Sequence, residues 1–86
     1  MAVVDVLYFG AVRERLGRDV DHLDLPSHVL TVADLLRWLA ERGGLYAEAF
    51  ANPEGLRAAV DRAHAGLDDS FFGAAEVALF PPVGAL

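Results

Sequence analysis

The sequence predicts an α+β domain in which a mixed sheet carries one main helix packed on one face. Two apolar, strand-like runs stand near the two ends of the chain, Val3 to Phe9 and Glu76 to Phe80, and an amphipathic helical pattern lies between them. With 86 residues, 55% of them hydrophobic, the chain has material for one core and one domain.

Val3 to Phe9 is β-branched or aromatic almost throughout, which predicts a central strand covered on most of both faces, with Asp5 near an end. Gly10 breaks the run, and the segment to Arg18 reads as a turn or short helical loop closed by Gly17. From Asp19 to Leu25 the residues alternate. Val20, His22 and Asp24 fall opposite Asp21, Leu23 and Leu25, so this is an amphipathic outer strand in a hairpin with the first.

Pro26 ends that strand, and Thr31 with Asp34 three residues on marks a helix N-terminus, with the helix starting near Val32. Val32, Leu35, Leu36 and Leu39 follow i, i+3, i+4, i+7 and define its buried stripe. Gly43-Gly44 supplies a left-handed stop. Leu45 to Ala51 forms a short second helix, and 52–55 turn the chain. Leu56 to Ala63 reads as a third strand, followed by a looser stretch from Ala65 to Gly73 in which Asp68 and Asp69 are turn residues. The first and last runs, being the most apolar, belong side by side in the middle of the sheet and parallel. Leu7, Leu36, Leu39, Val60 and Leu79 are the expected shared core between helix and sheet.

The final run alternates Val77 and Leu79 against Ala78 and Phe80 and is then stopped by Pro81 and Pro82, which cannot donate to a ladder and hold polyproline-like φ. This divides the chain into a body over 1–80 and an extended tail over 81–86. At about 3.1–3.5 Å per residue the tail reaches roughly 20 Å, enough to carry the terminal carboxylate deep into a partner.

Composition excludes several chemistries. Without cysteine there is no disulfide, thiolate metal site or thiol nucleophile, and without lysine there is no Schiff base. Net charge −6 and a pI near 4.7 repel nucleic acid and anionic lipid and favour a basic protein surface as partner. No apolar run approaches a membrane-spanning length and the N-terminus carries no basic leader pattern, which predicts a cytoplasmic protein. His22, His28 and His64 lack metal-ligand spacing. Arg13, Arg15 and Arg18 read as a solvated loop, the other reading being contact with an acidic partner patch. Trp38 and Tyr46 read as helix packing ahead of interface anchors. No catalytic side chain is expected.

Two stretches carry a family resemblance: Val6-Leu7-Tyr8-Phe9-Gly10-Ala11-Val12-Arg13-Glu14-Arg15-Leu16-Gly17, and Glu76-Val77-Ala78-Leu79-Phe80-Pro81-Pro82-Val83. The chain resembles the MoaD-like small subunits of molybdopterin synthase, within the ubiquitin-like sulfur-carrier family, over its full length. The resemblance implies a ubiquitin-like β-grasp fold and a non-catalytic sulfur carrier for molybdenum cofactor biosynthesis. It also implies two partners, the large subunit of molybdopterin synthase and an adenylating (E1-like) activating enzyme that uses ATP, with no cofactor bound to the chain itself. Phe80, Pro81, Pro82, Val83, Gly84, Ala85 and Leu86 are then the partner-binding tail, and Leu86 stands where the sulfur-carrying C-terminus would be. Family members follow Phe-Pro-Pro-Val with one variable residue and Gly-Gly; here those places hold Gly84, Ala85 and Leu86. A side chain beside the reacting carboxyl crowds a narrow channel. This leaves open the alternative of a ubiquitin-like binding module that docks but lacks a competent end.

Overall fold

The first apolar run forms β1, Ala2–Tyr8, and the segment after it folds as a true helix, α1, Gly10–Leu16. The computed structural model describes residues 2–52 and 55–81. Val12 and Leu16, four apart, give α1 a buried face, and Gly17, at φ 73°, closes it with its N–H donating to the Arg13 carbonyl at 2.8 Å. The amphipathic strand is β2, Val20–Leu25, followed by the main helix α2, Val32–Ala40, the short helix α3, Gly44–Ala49, and strands β3, Arg57–Val60, β4, Ala63–Ala65, and β5, Glu76–Phe80.

The five strands make one sheet in the order β2-β1-β5-β3-β4. β1 pairs antiparallel with β2, from Ala2 opposite Leu25 to Leu7 opposite Val20, and parallel with β5, from Asp5 opposite Glu76 to Tyr8 opposite Leu79. The expected central, parallel placement of the first and last strands is what forms. β5 pairs antiparallel with β3, which forms a hairpin with the edge strand β4.

At the start of α2, Thr31 accepts from the Asp34 amide at 3.1 Å while the Asp34 carboxylate accepts from the Thr31 amide at 3.2 Å, a reciprocal capping box. Val32, Leu35, Leu36 and Leu39 are all buried, as their spacing requires. They meet Val4, Val6 and Tyr8 of β1, Leu23 and Leu25 of β2, Ala58 of β3, and Val77 and Leu79 of β5 in one core.

Six expectations are corrected. β1 is covered on one face only: Val4, Val6 and Tyr8 point into the core, Leu7 is half-buried on the opposite face, and Val3 is 71% exposed. Period-two alternation sends Leu7 away from Leu36 whatever its hydrophobicity, and it also sets Asp5 in mid-strand on the open face. Val60 is likewise only partly buried, at the margin of the core. Gly43-Gly44 does not stop α2, which ends at Ala40 with Glu41 as its cap; both glycines have positive φ, 81° and 57°, and they lead the chain into α3. The single strand expected from Leu56 to Ala63 is broken by Asp61 and Arg62, both at positive φ (48° and 72°), which turn β3 into β4.

Candidate functional site

The tail leaves the body at a defined point. Because β1 and β5 are parallel neighbours, their C-terminal ends lie together, and the Phe9 amide donates to the Leu79 carbonyl at 3.0 Å just before the two chains part. β1 passes into α1 at Gly10, whose φ is +58°. A Cβ on that residue would lie 3.0 Å from both Cδ and Cγ of Pro81. Glycine is therefore required twice, by the left-handed backbone and by the proline ring packed on it. Of the expected tail, Phe80 and Pro81 are seen here; Pro82, Val83, Gly84, Ala85 and Leu86 lie outside the described residues.

Beside Pro81 is the sheet face that no described element covers. The register sets Leu7 of β1 next to Ala78 of β5, and Ala78 next to Ala59 of β3, so these three side chains share it. With Phe9, Arg62 and Glu76 they line a concavity of about 230 Å³. Phe80 belongs to the same face and meets the His64 ring edge-on at 5.9 Å between centroids, while Phe9 is 45% exposed. A polar row crosses the sheet below this apolar area: His22 is hydrogen-bonded to Asp5, and Arg62 Nε donates to Glu76 at 3.4 Å, with Asp5 and Glu76 side by side in the register. The arrangement is an exposed apolar surface bordered by charge and continuous with the root of the tail.

A buried polar cluster stiffens the same end of the sheet. Asp21 of β2, only 7% exposed, accepts hydrogen bonds on one carboxylate oxygen from the Tyr8 hydroxyl at 2.8 Å and the Tyr46 hydroxyl at 2.7 Å, and on the other from Arg18. Burial pushes the Asp21 pKa up, but the bonds from Tyr46, Tyr8 and Arg18 outweigh it and hold the carboxyl below its ordinary range. Burial, and then the bond to Asp21, push the Tyr8 hydroxyl well above its ordinary value and raise that of Tyr46. Tyr46 thereby ties α3 to the sheet. Its ring stacks near Phe50 at 6.5 Å, and the Arg42 guanidinium lies 4.6 Å from the Tyr46 ring centre and 5.5 Å from that of Trp38.

Trp38 and Tyr46 thus serve packing, as expected. The three arginines sit on and just after α1 and are held within the chain: Arg13 by Asp19 at 2.8 Å, Arg15 by Glu48 at 3.6 Å, and Arg18 by Asp21. Asp69 is a turn residue, its carboxylate accepting from the Gly66 amide at 2.7 Å. Among the described residues no group of three His, Asp or Glu side chains is placed to hold a metal ion, and no helix is long and apolar enough to cross a membrane. Gly10, Asp21 and the open-face pair Leu7 and Ala78 escaped sequence reasoning as site residues. Asp21 had a usable signal, since the alternation of β2 already placed an acid among its inward positions.

No curated protein matches the chain. Among solved structures, a Pyrococcus furiosus protein assigned as molybdopterin converting factor, subunit 1, superposes with a TM-score of 0.75 at 25% identity, covering 96% of this chain and 100% of its own. The small archaeal modifier protein SAMP1 of Haloferax volcanii matches in fold in two structures. Their TM-scores are 0.71 and 0.64, at 20% and 22% identity, over 99% and 96% of this chain and 100% of each of theirs. The mixed five-stranded sheet with its helices packed on one face is thus a ubiquitin-like β-grasp fold. The ThiS family model matches residues 6–84, from the middle of β1 into the tail, and the chain belongs to the ThiS family of ubiquitin-like sulfur-carrier proteins.

Proposed function

We propose that this chain is the sulfur-carrier small subunit of molybdopterin synthase in molybdenum cofactor biosynthesis, working in the cytoplasm with the large subunit and an adenylating enzyme. The observation that carries this reading is the root of the tail: Pro81, packed on Gly10 at the end of β5, stands beside an apolar sheet face that no described element covers. The likeness to the Pyrococcus furiosus converting-factor subunit supports it.

In this reading the sulfur resides on the C-terminal carboxyl, as the family pattern implies, with Leu86 at that position; the chain has no cysteine thiol that could hold it instead. The activating enzyme joins this carboxylate to the α-phosphate of ATP and releases pyrophosphate. Sulfide released by a sulfur donor then attacks the acyl carbon, the bond to phosphate breaks, AMP leaves, and a thiocarboxylate remains. Leu7, Ala78 and Phe80 dock on the large subunit while Pro81, Pro82, Val83, Gly84, Ala85 and Leu86 enter its active site, where the sulfur passes to the precursor.

A second reading rests on Ala85 and Leu86, which stand where the family pattern has Gly-Gly. In it the chain is a ubiquitin-like module that binds the same partner without delivering sulfur. Intact mass spectrometry after incubation with the activating enzyme, ATP and a sulfur donor separates the two. The carrier gains the mass difference between sulfur and oxygen; an unchanged mass beside retained binding to the large subunit selects the module.

A further inference from the structure

β1 and β5 begin together at the end of the sheet opposite the tail. There an apolar groove of about 390 Å³ opens between the start of β1, the segment joining β2 to α2, and the turn before β5. Val4, Val29 and Phe71 are its buried floor, and Val3, Leu30 and Phe72 its rim, 71%, 49% and 88% exposed. Phe72 is held there by its backbone. The Ala74 amide donates to the Phe71 carbonyl at 2.9 Å, Gly73 takes φ 80°, and the Phe72 amide donates to Ser70 Oγ at 3.0 Å, which fixes a tight turn with Phe72 at its corner. The Phe71 amide anchors the turn to the Leu30 carbonyl at 3.2 Å across the groove. A phenylalanine kept in water on an ordered turn forgoes the stabilisation that burial would bring, and such rimmed patches mark interaction sites.

Charge selects the occupant. Val3 lies opposite Asp24 in the sheet, the Leu30 amide donates to the Asp34 carboxylate at 3.2 Å, and Asp61 accepts from the amide of Ala75, beside the groove, at 3.0 Å. Asp34 is matched by Arg37, whereas among the described residues Asp24 and Asp61 are in no ion pair. A second copy would present the same acidic frame and a further net charge of −6. We propose that the groove docks a basic, apolar segment of a partner protein, its leucine-sized side chains seated between Leu30 and Phe72 and its arginine or lysine groups set against Asp24 and Asp61. Phe80, from which the tail continues, is at the other end of β5, and the proposal does not depend on whether the tail carries sulfur.

The probe is a short amidated peptide alternating leucine and arginine, titrated into the full chain and followed by amide correlation NMR, beside the same peptide with glutamate for arginine. Saturable shift changes are expected at Val3, Leu30 and Phe71 to Ala74 with the arginine peptide and none with the glutamate peptide. Phe72→Ser, which removes an exposed anchor from outside the core, weakens binding about tenfold, and Asp24→Asn weakens it less. Four results would overturn the proposal: shifts centred on Leu7 and Ala78, an equal response to both peptides, unchanged affinity in Phe72→Ser, or concentration-dependent shifts at the groove with no peptide present, which would make a second copy the occupant.

Discussion

Gly10 and Pro81, seventy-one positions apart in sequence, are packed so closely that a β-carbon on the glycine would fall 3.0 Å from two ring carbons of the proline. The contact joins the start of α1 to the root of the tail at Pro81. Gly10→Ala must therefore either shift Pro81 or strain α1, in addition to bearing the cost of a left-handed alanine, about 1 kcal/mol. Gly17, at φ 73° with nothing within 4 Å of its would-be Cβ, is the control that bears the conformational cost alone. In urea unfolding, Gly10→Ala is expected to lose at least ~1 kcal/mol more than Gly17→Ala. Equal losses would mean that Pro81 yields freely.

Asp21 makes stability depend on acid. Its pKa in the folded chain is lowered, so its contribution is fully present above the unfolded value, near 4, and is lost as pH falls through the folded value. Asp21→Asn leaves two tyrosine hydroxyls and Arg18 facing a weaker acceptor and should cost about 1–3 kcal/mol at neutral pH. The variant should also lose stability less steeply on acidification. Unfolding free energies measured at neutral pH and below pH ~4 check both halves; parallel curves for variant and parent would remove Asp21 as the source.

Two leucines of the same size should behave differently. Leu36, about 1% exposed on the buried stripe of α2, should cost about 2–5 kcal/mol when replaced by alanine. Leu7, half-buried on the open face, should cost about 1 kcal/mol or less. The contrast is read from urea midpoints at constant slope, and a Leu7→Ala loss as large as that of Leu36→Ala would show that the open face is packed in solution.

Placing a charge on the open face tests docking without touching the core. Ala78→Asp sits among Leu7, Phe9 and Ala59 and is expected to weaken binding to the large subunit at least about tenfold while leaving the thermal midpoint within a few degrees. Calorimetric titration with the purified large subunit decides it. Undiminished affinity would move the interface elsewhere.

Replacing Ala85 and Leu86 by glycines removes two side chains next to the reacting carboxyl. The rate of thiocarboxylate formation should rise far more than affinity for either partner, because the obstacle is access at the reacting carbon, where about 1 Å of misplacement can cost on the order of a hundredfold. Equal rates for the parent and the Gly-Gly form would refute the steric account.

Local order was readable wherever neighbours in sequence decide it: the alternation of β2 and β5, the i, i+3, i+4, i+7 stripe of α2 with its Thr31 and Asp34 box, and the stop at Pro81. The central parallel pair of β1 and β5 could be anticipated too, because the most apolar strands are those with neighbours on both sides. Only the tertiary structure decided which face of β1 meets the helices, since Leu7 and Val6 are equally apolar and parity, set by pairing with β2 and β5, sends one inward and the other out. Pairing likewise broke the run from Leu56 to Ala63 at Asp61 and Arg62, residues that accept positive φ only because the hairpin demands it. Gly10 looked like any strand end, and Asp21 like any polar residue of an amphipathic strand. What gives each its role is a partner far along the chain, Pro81 for one and Tyr46 for the other, and such contacts exist only once the sheet has closed around its core.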